Sequence, residues 1–130
     1  MGRFRFDGPG AASFLDSIVS RRVTNIKPDQ IRYGLITNDD GGILDDVLVY
    51  HLVDHDGSPF HFMVVNAGNR DKINEWLAPR LAKANDVTFT DQSLDTAMIA
   101  VQGPAAVELA DGLCDLKVSE IPYYLSLIHI

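Results

Sequence analysis

Cysteine is almost missing from this chain: Cys114 is the one thiol in 130 residues. A lone cysteine excludes an intramolecular disulfide and a zinc site built from several thiolates, and it fits a reducing compartment. Basic side chains are also scarce. Eleven Lys and Arg stand against 18 Asp and Glu, giving a formal charge of -7, which argues against a nucleic-acid partner held through phosphates. No stretch approaches the roughly 20 apolar residues of a membrane-spanning helix. No basic-then-apolar signal segment opens the chain, so a cytoplasmic protein with no membrane partner is expected. What is plentiful is apolar residue, at 46%, enough for the core of one ordinary domain.

Hydrophobic periodicity orders the elements. Residues 2–7 alternate polar and apolar as a strand does, and Gly8-Pro9-Gly10 turns the chain. Ala11, Phe14, Leu15, Ile18 and Val19 recur at helical spacing, predicting a helix to about Ser20. A polar loop over 21–30 leads to a strand at 30–37. Asp39-Asp40-Gly41-Gly42 offers the positive-φ positions of a hairpin into a second strand at 43–52. A turn at 55–59 precedes a third antiparallel strand from Phe60 to Val65. A helix follows, with Asn69 or Asp71 near its cap and Ile73, Trp76, Leu77, Arg80, Leu81 and Ala84 on one stripe. Pro79 predicts a kink or early stop in it. Val87–Thr90 reads as a short strand. Thr96–Gln102 reads as another, running through Gly103-Pro104 into a helix and repeating the scheme of Arg5–Ala12. The repeat is read either as an internal duplication or as a common use of Gly-Pro at a strand-to-helix corner. Hairpins over 31–65 imply an α+β fold, a mostly antiparallel sheet with flanking helices.

Both ends read as abrupt. Met1–Asp7 already alternates like a strand, and Tyr123–Ile130 is an apolar run without a cap. The expectation is a segment of a longer protein, with residues 1–124 forming part of one domain and 125–130 a tail of doubtful origin.

The chemical signal is Asp45-Asp46, two carboxylates inside an apolar strand. Asp is depleted from strands, and a buried carboxylate is costly unless hydrogen-bonded. Alternation puts Asp45 with Ile43, Val47 and Val49, and Asp46 with Leu44, Leu48 and Tyr50. Three readings stay open: a structural pair, a metal site recruiting His51, His55 or His61, and a functional carboxylate that polarises a ligand. The metal reading is weak, because a four-residue His spacing aligns ligands on a helix and not on a strand. A His51–His61 pair is read as a surface pair near a hairpin end. Asp39, Asp40 and Asp54 are read as turn formers. Asn66, at the end of a strand, is either a helix-entry cap or an amide offered to a ligand.

Three separated segments carry a resemblance: Asn38–Tyr50 (Asn-Asp-Asp-Gly-Gly-Ile-Leu-Asp-Asp-Val-Leu-Val-Tyr), Val64–Lys72 (Val-Val-Asn-Ala-Gly-Asn-Arg-Asp-Lys) and Met98–Pro104 (Met-Ile-Ala-Val-Gln-Gly-Pro). In order and without large gaps, they resemble the glycine cleavage T-protein family of tetrahydrofolate-dependent aminomethyltransferases. The resemblance implies part of a folate-binding domain. It implies Asp46 as the catalytic carboxylate, Asn66 as a pterin contact, and Tyr33, Leu48 and Met1 as pocket-lining positions. It further implies tetrahydrofolate as acceptor substrate, no metal, and the lipoylated H protein as partner. The family's later Gly-Tyr-Thr-Gly-Glu motif is absent. Competing folate-domain readings are a dimethylglycine or sarcosine dehydrogenase, a folate-dependent demethylase, or a non-catalytic folate-binding iron–sulfur maintenance protein. The signature motif of that last class, Lys-Gly-Cys-Tyr-Thr-Gly-Gln, is not found. The physical reading of the residues is compatible: a carboxylate among apolar groups should have a raised pKa, which suits proton handling.

Overall fold

A computed structural model describes residues 1–113, 115 and 117–126. Cys114 and Leu127–Ile130, on which two of the readings above fall, lie outside the described residues. The chain folds into five strands, β1 (Gly2–Asp7), β2 (Ile31–Thr37), β3 (Ile43–Val53), β4 (Pro59–Val65) and β5 (Thr88–Asp91), with helices α1 (Ala11–Ile18), α2 (Arg70–Leu81) and α3 (Ala106–Asp111). The strands form one antiparallel sheet in the order β2-β3-β4-β1-β5. This is the α+β arrangement that the hairpin pattern implies.

Alternation makes the two faces of the sheet chemically different. Phe4, Phe6, Ile36, Val47, Val49, Met63 and Val65 point to one face, where α1 brings Ala11, Phe14 and Leu15 and α2 brings Ile73 and Leu77 into one core. The opposite face carries Tyr33, Leu35, Leu48, Tyr50 and Phe62, linked by the pairings Tyr33↔Leu48, Leu48↔Val64 and Tyr50↔Phe62. Its residues at the β2–β3 end are only partly buried, with Tyr33 42% exposed.

Local chemistry sets the element boundaries. α1 ends at Ile18, short of Ser20, because Val19 is extended and bridges to Ile36. Gly34 makes that approach possible, since a Cβ there would lie 2.4 Å from Val19 Cγ1. In the β2–β3 hairpin only Gly41 takes a positive φ. Asn38 closes the turn, with its side-chain oxygen accepting from the Gly42 N–H at 2.6 Å. Pro79 sits in the last turn of α2, which stops at Leu81, so Ala84 falls beyond the helix. Arg80 lies 3.6 Å over the Trp76 ring and completes the stripe as a cation–π contact.

The strand expected over Thr96–Gln102 does not form. Residues 97–102 have no regular structure, and Ile99 is 86% exposed. The apolar run Ala97–Val101 suits a strand, but a strand requires a neighbour for its backbone N–H and C=O groups, and no strand lies beside it among the described residues. Gly103-Pro104 does lead into α3 as the repeat suggests, although α3 buries none of its side chains.

Candidate functional site

The hairpin strand β3 carries the two carboxylates to opposite faces. Asp45 pairs with Ile36 on the helix-covered face and is 3% exposed. Asp46 pairs with Leu35 on the open face and is exposed. Alternation requires one acid among apolar groups, and that acid is Asp45. Asp46 is solvent-facing, so the expectation of a carboxylate among apolar groups does not hold for it.

Asp45 is kept in the core by N–H donors. Its Oδ2 accepts from the Asn66 backbone N–H at 2.9 Å, and its Oδ1 from Asn66 Nδ2 at 2.9 Å and Asn69 Nδ2 at 2.6 Å. No cationic side chain forms an ion pair with Asp45 among the described residues. Three charge-assisted hydrogen bonds therefore offset the desolvation of the carboxylate.

Asn66 stands at the end of β4 in extended conformation, φ -62° and ψ 142°, and makes no side-chain cap. Its Nδ2 donates to Asp46 Oδ1 at 2.8 Å as well as to Asp45, and lies 3.3 Å from the Asp46 carbonyl oxygen. Acceptors on all these sides determine which way the amide faces, because a flip would set its oxygen against two carboxylates. The cap reading of Asn66 gives way to a bridge between the two acids. Asn69 occupies the residue before α2 and also caps nothing. Its role at Asp45 was missed in the sequence, where the available signal was a second Asn three residues after Asn66. Lys72 Nζ donates to the Leu44 carbonyl at 2.6 Å and ties the start of α2 to the same strand.

The other sequence-predicted positions gather nearby. Leu48 and Tyr33 are directly paired on the open face with Asp46. Met1 precedes Gly2, whose partner is Val65, so it sits beside Asn66 at the strand ends and is 51% exposed. Behind it, Arg3 is buried and pins the segment after β5. Its guanidinium donates to Met1 O at 2.8 Å, Thr96 Oγ1 at 2.7 Å, Thr96 O at 2.7 Å and Ser93 O. Tyr50, farther along the open face, has its phenol pKa raised by burial.

The histidines lie elsewhere. His51 and His61 stack at 4.7 Å on the helix-covered side, opposite Phe6. They are no surface pair: His61 is 8% exposed, and His51 Nδ1 is 2.8 Å from Ile26 O. Burial, with the charge of His51 second, lowers the His61 pKa to about 4. Among the described residues no three His, Cys, Asp or Glu side chains converge as metal ligands. Asp54, expected as a turn former, closes its turn to Ser58 and also accepts from Arg5 at 2.6 Å.

Comparison with known proteins bears on this arrangement. The family profile of the GCVT N-terminal domain matches residues 1–127. The chain belongs to the GCVT N-terminal domain family. Curated relatives are named aminomethyltransferase. The protein of Corynebacterium aurimucosum is 39% identical over 132 residues, covering 98% of this chain and 34% of that protein. The protein of Oceanobacillus iheyensis is 33% identical over 125 residues, covering 95% and 33%. The crystal structure of glycine cleavage system aminomethyltransferase T from Bartonella henselae superposes with a TM-score of 0.71 at 25% identity, over 95% of this chain and 32% of that one. This GCVT-family chain thus spans about a third of the length of the relatives it matches. Among its described residues, no helix is long and apolar enough to cross a membrane.

Proposed function

We propose that the open sheet face around Asp46 is one wall of a tetrahydrofolate site in an aminomethyltransferase of the glycine cleavage system. The observation that carries this reading is the Asn66 bridge: it holds Asp46 Oδ1 at 2.8 Å beside a half-buried apolar surface. The second oxygen of Asp46 has no hydrogen-bond partner among the described residues. A flat pterin ring would lie on Leu48, Tyr33 and Met1, and the free carboxylate oxygen would meet its reactive nitrogen region. An exposed acid at the rim of an apolar wall is open to the ligand and loses water only when the ligand arrives, which strengthens its electrostatic action.

In the proposed reaction the aminomethyl group on the lipoyl arm of the H protein is transferred to tetrahydrofolate. The carbon–sulfur bond breaks and the thiol returns to the arm. Two bonds form from the carbon to folate nitrogens, and ammonia leaves. Asp46 orients the attacking nitrogen and handles its proton. The reading needs no metal, places the protein in the cytoplasm, and assigns residues 1–124 to the folate domain.

The test is turnover of a full-length protein carrying this domain, with tetrahydrofolate and lipoylated H protein. Asp46→Asn is expected to lose orders of magnitude in rate while folate binding is largely retained. Near-normal turnover overturns the assignment.

A further inference from the structure

We infer that Asp45 and Asn69 are positioning residues, which hold the Asn66 amide so that its nitrogen stays on Asp46 and its oxygen stays free. The inference rests on the reading of Asp46 and Asn66 as site residues, but its geometry stands independently. Asn69 Nδ2 binds Asp45 Oδ1 at 2.6 Å, that same oxygen binds Asn66 Nδ2 at 2.9 Å, and Asn66 Nδ2 binds Asp46 Oδ1 at 2.8 Å. The four side chains form one chain of hydrogen bonds from the start of α2 to the open face. Each link is charge-assisted.

The anchor is at the buried end. Asp45 is 3% exposed and grips both the backbone and the side chain of Asn66, which removes the rotational freedom of the amide. Both amide protons of Asn66 are directed to carboxylates. Its Oδ1 and Asp46 Oδ2 are left as acceptors, with no partner among the described residues. The site therefore presents acceptors, and its ligand must supply N–H or O–H donors. A reversed Asn66 amide would instead offer a donor to the ligand and set its oxygen against Asp46.

Asn69 is the informative position. It is half-buried and donates a single side-chain hydrogen bond, so Asn69→Ala should leave the fold in place. Side-chain NMR of this chain reads the arrangement through hydrogen-bond couplings from Asn66 Nδ2 to the carboxylate carbons of Asp45 and Asp46. Both couplings are expected in the wild type. In Asn69→Ala the coupling to Asp46 is expected to be lost, while backbone amide shifts of β3 and β4 stay in place. Asp45→Asn should lose it as well, and if that variant does not fold, Asn69→Ala decides alone. A coupling to Asp46 that persists in Asn69→Ala, or that is absent from the wild type, overturns the inference. In the transfer assay, Asn69→Ala should lower kcat about tenfold with KM for tetrahydrofolate unchanged. Unchanged kcat overturns the positioning role. A full-length wild type carrying this domain without folate turnover sinks the functional reading instead, and the NMR result still decides the geometry.

Discussion

Asn66 reaches from the end of β4 to Asp46 on β3 and holds one of its carboxylate oxygens at 2.8 Å. The two residues are 20 apart in sequence, yet the antiparallel register Leu48↔Val64 pairs their strands two residues after Asp46 and two before Asn66. The bond joins the most exposed acid of β3 to the residue that also anchors its most buried one. Function and stability are therefore expected to separate cleanly between adjacent aspartates.

Asp46 is exposed and loses one hydrogen bond at most on substitution. Asp46→Asn should change unfolding free energy by less than about 0.5 kcal/mol. Parallel measurement of urea unfolding and aminomethyl transfer checks this, with loss expected only in transfer.

Asp45 should behave in the opposite way. Asp45→Ala leaves the Asn66 backbone N–H and Asn69 Nδ2 without their acceptor, removes one acceptor of Asn66 Nδ2, and opens a void beside Ile36. A loss of roughly 2–4 kcal/mol is expected, the range for buried polar groups left unpaired. Urea unfolding with a shifted midpoint and unchanged slope is the confirming result.

His61 makes stability pH-dependent. Its folded pKa is about 4 against an ordinary 6.5, because burial and then neighbouring His51 disfavour its charged form. The unfolded chain therefore binds the proton more readily between those values. The stabilisation is complete above pH 6.5 and is lost as pH falls toward 4. The expected loss across that window is roughly 2 kcal/mol, less than the full linkage value because solvent still reaches part of the ring. His61→Phe should flatten the profile in thermal melts between pH 4 and 7, and an unchanged slope would count against the assignment.

Gly8 joins β1 to α1 at φ +97°, and a Cβ there would lie 2.3 Å from the Asp86 carbonyl oxygen. Gly41, at φ +83° in the β2–β3 hairpin, has nothing within 4 Å. Gly41→Ala should cost about 1 kcal/mol from backbone strain alone. Gly8→Ala adds a clash with backbone that cannot rotate away, and should cost at least about 2 kcal/mol. Equal losses for the two variants in urea unfolding would refute the role of the Asp86 contact.

Much of the fold was legible because it is written in local periods. The strand alternation of Gly2–Asp7, the helical spacing of Ala11, Phe14 and Leu15, and the Asp-Gly turn before Ile43 each report the element they form. The strand expected at Thr96–Gln102 was misread for a reason of the same physics. An apolar run records a suitable composition, whereas a strand exists only where another backbone satisfies it. His51 and His61 were placed at the surface because their spacing says nothing about which face loop 21–30 covers.

Sequence by itself determined the antiparallel α+β order, the opposite facing of Asp45 and Asp46, and the resemblance that singles out Asp46 and Asn66. Those features follow from alternation within one strand and from residue identity. Only the tertiary structure decided which aspartate is buried, that Asn66 binds both, and that Asn69 serves Asp45 and not its own helix. The reason is geometric. Burial of one sheet face depends on which side α1 and α2 pack, and hydrogen bonds between the ends of β3 and β4 depend on a register that neither strand specifies alone.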